Sequence, residues 1–152
     1  SPVARWIWRR QVDSVLMPPG ANVVKFARFT YLPTLNELGI GPATRRELLP
    51  LFGLLRSGRP AALGLVSGLG LPHIATNHQV LAYAAEFGED AVTVRVYDPN
   101  YPGRDDVTIG VPLTLTGEIF ERIGGRTKAW RGFFVEDYTP RAPLGSPAER
   151  AS

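Results

Sequence analysis

The 152-residue chain contains no cysteine. That excludes disulfides, cysteine-ligated metals and any thiol nucleophile within these residues. Histidine is nearly as scarce, with two residues, His73 and His78, so imidazole chemistry has few places to occur. No apolar run reaches the ~18–20 residues that cross a bilayer, and no membrane association is expected. Charge of one sign is not concentrated either: 17 Lys and Arg against 14 Asp and Glu leave a net +3. No block of five like charges occurs, which speaks against a nucleic-acid module. The nearest basic–aromatic patch, Arg5, Arg9 and Arg10 beside Trp6 and Trp8, reads as an amphipathic helix with solvated arginines. No signal peptide is evident, and Ser1 opens the chain without a Met, as a piece of a longer protein would. A chain without thiols folds in either redox state, so the compartment is left open.

What remains is ordinary for one globular domain: 44% hydrophobic and 20% charged residues can bury a core. Helical spacing is expected over 2–16, ending at Pro18-Pro19-Gly20. Residues 22–31 fit either a short helix capped by Asn22 or a strand. A helical turn is expected at Thr34–Leu38. Residues 43–57 give a clearer helix, with Leu48, Leu51, Phe52 and Leu55 on one stripe and Gly58 closing it. The periodicity then changes. Strands are expected at Ala61–Ser67, across a hairpin from His78 to Asp98, at Val107–Val111 with an optional extension through Leu113–Thr116, and at Arg131–Tyr138. Helices followed by an antiparallel sheet define an α+β fold. One domain is expected over 1–139, helical to residue 58 and sheet from 59, with a flexible Pro/Ala/Ser-rich tail at 140–152.

The hairpin holds the most informative pair. If it is centred on Gly88, facing indices sum to 176 and His78 stands opposite Asp98. Val80, Ala82 and Ala84 then face Val96, Val94 and Val92 on the same side. A one-residue slip would scramble the faces. Facing Cβ atoms lie roughly 5 Å apart, close enough for a carboxylate to orient an imidazole. That is two members of a nucleophile–His–acid arrangement, and Gln79 would point to the opposite face. Each residue also has a plain structural reading: His78 as a strand-start histidine, and Asp98 as a side chain capping the turn at Pro99-Asn100.

Asn77-His78-Gln79-Val80 opening one strand, Gly58-Arg59-Pro60 leading into the strand before it, and Tyr97-Asp98-Pro99 closing the next resemble the papain-like cysteine peptidases. The likeness is to the bacterial branch that includes peptidases trimming double-glycine leader peptides. An uncharacterised bacterial group with NHQVLAY and YDPN segments and an RGFFV-like final strand is similar too. The resemblance spans about residues 58–138. It implies a helical half before an antiparallel sheet, with His78 as general base and acid and Asp98 as the orienting acid. It also implies a peptide or protein substrate, and thiol-dependent peptide hydrolysis or acyl transfer. The nucleophilic Cys would lie in a Gly-flanked segment upstream of the first helix. As it stands the chain is expected to be inactive, and a papain-like binding or interaction module is the alternative.

Other chemistry finds little support. Ser67 is not in a G-x-S-x-G elbow, and Ser14 and Ser57 lie in helical segments. Gly68-Leu69-Gly70 lacks the third Gly of a dinucleotide loop, so no cofactor is expected. His73 reads as a loop residue. His73, His78 and Asp98 fit no metal-ligand spacing, and Asp105-Asp106 reads as a solvated turn, so no metal is expected.

Overall fold

The computed structural model describes residues 21–34, 38–114 and 118–137. The expected helix over 2–16, most of the turn at Thr34–Leu38 and the tail at 140–152 lie outside the described residues. Helix α1 spans Ala21–Tyr31 and α2 spans Ile40–Arg56. Seven strands follow: β1 Ala61–Val66, β2 His78–Phe87, β3 Ala91–Tyr97, β4 Thr108–Pro112, β5 Ile119–Ile123, β6 Arg126–Trp130 and β7 Gly132–Val135. All pair antiparallel in one sheet, in the order β6-β5-β4-β3-β2-β1-β7. The fold is α+β. Among the described residues no helix is long and apolar enough to cross a membrane.

The ambiguous segment 22–31 is helical because its buried side chains, Asn22, Phe26, Phe29 and Thr30, recur at three- and four-residue spacing rather than two. Helix α2 begins at Ile40, ahead of its apolar stripe. Pro42 sits in its first turn, where a missing N–H costs nothing. Gly58, at φ 76°, reverses the chain after it, a conformation that glycine adopts without a Cβ penalty.

Three strand expectations are corrected. Strand β4 stops at Pro112, with Leu113 and Thr114 in a bend. The final strand starts at Gly132, and Arg131 forms a corner. A hairpin absent from the expectation occupies β5 and β6, turning through Gly124-Gly125, with Ile123 paired to Arg126. Gly124 has φ 55°, as two-residue hairpin turns demand.

The hairpin register also differs. Beside the turn, Phe87 pairs with Val92 and Ala85 with Val94, whereas beyond an irregularity between Ala82 and Ala84 the pairs are Ala82–Val96 and Leu81–Tyr97. The turn is closed by Gly88 N–H donating to the Ala91 carbonyl at 2.8 Å, so it is centred beyond Gly88. The bulge at Tyr83 then absorbs one residue. Ala85, rather than Ala84, packs on the core on the turn side of the bulge.

The sheet must curl. Strands β6 and β7 lie at its opposite ends, six spacings or about 29 Å apart if the sheet were flat. Only Arg131 separates them in sequence. A one-residue link spans about 7 Å between flanking Cα atoms, so the two edges meet at this corner. One face of the curled sheet encloses the main core, including Leu63, Leu65, Val80, Val94, Val96, Ile109, Ile119 and Phe133. Helix α1 covers part of the other face, where Phe26 and Phe29 pack on Phe134. Gly64 permits this approach, since a Cβ there would collide with the Phe26 and Phe134 rings.

Helix α2 runs along the outer edge of β7. Its Thr44 and Glu47 side chains accept the N–H groups of Phe133 and Val135, at 3.2 and 2.8 Å. This satisfies edge donors that would otherwise invite another strand. Gly132 has no room for a Cβ because Thr44 and Ile40 lie against it.

The corner itself is fastened by Arg131. Its N–H donates to the Val66 carbonyl at 2.8 Å. Its guanidinium donates to the carbonyls of Thr30, Leu32 and Gly68 and to the Thr34 hydroxyl, at 2.7–3.3 Å. Two of those carbonyls, Thr30 and Leu32, lie at or just past the C-terminal end of α1, where a cation is favoured.

Candidate functional site

His78 opens β2, and Asp98 follows the last residue of β3. Their side chains meet: His78 Nε2 lies 2.7 Å from Asp98 Oδ1. Continuing the observed register past Tyr97 sets Asp98 across from Val80, so His78 reaches it along the diagonal. Diagonal neighbours are within reach of long or ring side chains. The pair that a facing register predicts is therefore in contact by a different route.

The same Asp98 oxygen accepts the Asn100 N–H at 2.8 Å. The turn-capping reading of Asp98 and its pairing with His78 are thus fulfilled together. Asp98 is buried, 1% exposed, whereas the His78 side chain remains 18% exposed. An ionised carboxylate only accepts hydrogen bonds, so the contact places a proton on Nε2. A neutral ring bound this way carries no proton on Nδ1. The Asn100 side-chain amide lies 3.4 Å from Nε2.

Two residues of the unexpected β5–β6 hairpin complete the surroundings. The Trp130 ring lies nearly parallel to the His78 ring, with centroids 6.0 Å apart and planes at 17°. Four strand spacings separate β2 from β6, about 19 Å on a flat sheet, so this stack exists because the sheet curls. Trp130 Nε1 donates to Glu121 Oε2 at 3.1 Å. Glu121, 3% exposed, shares the inward side of β5 with Ile119.

Glu121 and Asp98 interact electrostatically. Burial and the Asp98 carboxylate push its pKa up to about 7, against the Trp130 N–H and the Lys128 ammonium, which favour the anion. Among the described residues, Asp98 Oδ2 and Glu121 Oε1 are both buried and neither has a hydrogen-bond partner.

The remaining candidates lie elsewhere. Gln79 donates to Glu136 Oε1 at 2.7 Å, away from the His78 imidazole. His73 lies in a 3₁₀ turn, Leu71–Thr76, with its ring against Gly68. Ser67 Oγ is bound to Thr76 Oγ1 at 2.6 Å. Asp106 pairs with Arg104. Among the described residues no group of three His, Cys, Asp or Glu side chains is placed to hold a metal ion.

Glu121 and Trp130 had a legible signal. Ile119-x-Glu121-x-Ile123 alternates before Gly-Gly, which marks a hairpin and puts a carboxylate on an apolar face. Arg131 had none, because its partners are backbone carbonyls distant in sequence. Comparison with protein-family models, with curated proteins and with solved structures finds no match to this chain.

Proposed function

We propose that His78 and Asp98 form the base–acid portion of a papain-like thiol hydrolase acting on peptide bonds or related acyl groups. Asp98 orients the imidazole through Nε2, and Nδ1 takes the proton of a cysteine thiol. The resulting imidazolium then protonates the leaving group. This polarity is the reverse of the Ser–His–Asp arrangement, in which Nε2 faces the nucleophile and Nδ1 the acid. The thiol must come from a segment outside these 152 residues, which hold no cysteine. The observation that carries the reading is the 2.7 Å contact between a partly exposed imidazole and a buried carboxylate.

The test uses the longest natural polypeptide containing this sequence, treated with iodoacetamide at neutral pH. One cysteine should react far faster than a free thiol, and His78→Ala should slow it at least tenfold with the fold intact. Asp98→Asn should slow it less and change its pH profile. A cysteine that reacts like a free thiol in both wild type and His78→Ala would overturn the reading, as would the absence of any cysteine. The fold would then serve as a binding module.

A further inference from the structure

The His78–Asp98 contact uses one oxygen of a buried carboxylate. The other, Asp98 Oδ2, is buried with no hydrogen-bond partner among the described residues. A buried carboxylate oxygen left without a donor is costly. Glu121 is itself buried on an otherwise apolar side of β5, with Oε2 held by Trp130 Nε1–H and Oε1 without a partner among the described residues. Its ladder neighbour on β4 is Ile109, which offers no polar group. Arg122, the next residue, turns to the opposite side, towards Gly110. Among the described residues, the charged and titratable groups around Glu121 are therefore Asp98 at the end of β3, Lys128 on β6 and, beyond Asp98, His78 on β2.

We propose that Glu121 is a positioning residue for the His78–Asp98 pair. As the neutral acid it donates to Asp98 Oδ2 and fixes the carboxylate with Oδ1 turned to His78. The inference rests on the reading of His78 as the base, and it adds a third member that the hairpin sequence does not contain. Burial and Asp98 raise Glu121 to about 7, so this proton is held below neutrality and released as the pH rises through that value. Release puts a second negative charge beside Asp98 and removes the donor that holds it in place. The arrangement thus couples the alignment of the pair to pH within the physiological range.

The chain itself can be tested by NMR without any thiol. The Trp130 indole N–H reports Glu121 directly, through its hydrogen bond to Oε2. The His78 Nε2–H reports the contact with Asp98. In the wild type, the indole resonance should titrate with a midpoint near 7, and the His78 N–H should shift or broaden over the same interval. In Glu121→Gln the side-chain amide still donates to Asp98 Oδ2 but cannot ionise. The indole inflection should vanish, with the His78 N–H retained. Asp98→Asn removes the neighbouring anion, so the indole midpoint should fall by at least one pH unit.

An indole inflection that persists in Glu121→Gln, or an Asp98→Asn midpoint equal to that of the wild type, would overturn the inference. So would a wild-type indole that is flat between pH 5.5 and 8.5. Trp130→Phe supplies an independent check in the complete polypeptide. It removes the donor to the Glu121 anion, so any inflection in thiol alkylation that comes from Glu121 should move to higher pH. An unchanged profile would count against the inference. Failure of the thiol reading leaves the NMR couplings intact, whereas failure of the Glu121 assignment abolishes them and leaves cysteine reactivity sensitive to His78→Ala.

Discussion

Two glutamates, Glu121 and Glu136, are buried to similar extents in different parts of the sheet, at 3% and 4% exposure. Both are raised to about 7, by different means. Glu136, just beyond β7, is raised by burial alone, against the Gln79 amide that donates to it and the Lys25 ammonium nearby. Lys25 itself is tied to the Val135 carbonyl at 2.9 Å and to Asp137 at 3.3 Å. Glu121 is raised by burial and by a second carboxylate together. Equal titration points thus conceal different chemistry. Glu136 helps tie the end of β7 to β2, whereas Glu121 interacts with the carboxylate that holds His78.

Removing Arg131 should break this comparison most strongly. Arg131→Met abolishes the side-chain contacts to α1, Leu32, Thr34 and Gly68 and loosens the corner that brings β6 round to β2. A loss on the order of 3 kcal/mol is expected from several charge-assisted bonds with their acceptors left behind, measured by urea unfolding. The Trp130 indole signal should lose its pH dependence near 7, while the titration of Glu136, followed by carboxyl-carbon NMR, should persist.

Next comes the pH dependence of stability. Both glutamates have folded pKa values above the ordinary carboxylate value of 4.5. Between that value and about 7 the folded state retains protons that the unfolded chain releases. Stability therefore falls as pH rises through this window and levels off above it. Each group contributes at most about 3 kcal/mol, at about 1.36 kcal/mol for each pH unit separating the folded and unfolded pKa values. Glu121→Gln and Glu136→Gln should each flatten the slope and melt above the wild type at pH 8, by calorimetry. A wild type equally stable at pH 5 and pH 8 would contradict both.

The smallest effect sharpens the difference. Lys128 lies 4.0 Å above the Trp130 ring centroid and favours the Glu121 anion. Lys128→Gln should raise the Glu121 midpoint by a few tenths of a unit and leave Glu136 unmoved. Added salt should mimic it, since Lys128 is exposed and screened.

The sequence separated helices from sheet because apolar spacing changes from three-and-four to two near Pro60. It singled out His78 and Asp98 because they end an alternating apolar face. It missed the register because a shift of two residues, from an index sum of 176 to the 178 of Ala82 with Val96, leaves every face unchanged. Hydrophobic alternation cannot distinguish the two registers. The bulge at Tyr83, which makes the sum 179 beside the turn, as for Ala85 with Val94, leaves no mark in that alternation either.

Local pattern therefore determined which residues are inward on β2 and β3, and that a histidine and an aspartate lie at one end of their shared face. The tertiary structure alone decided what stands beside them. Trp130 and Glu121 come from the far side of the sheet order and reach His78 and Asp98 because the sheet curls, its two ends joined by the one-residue corner at Arg131. Curl is a property of the whole ladder. It joins side chains remote in sequence and separated by intervening strands, so these contacts are set by the accumulated twist and curl of the sheet rather than by any local periodicity.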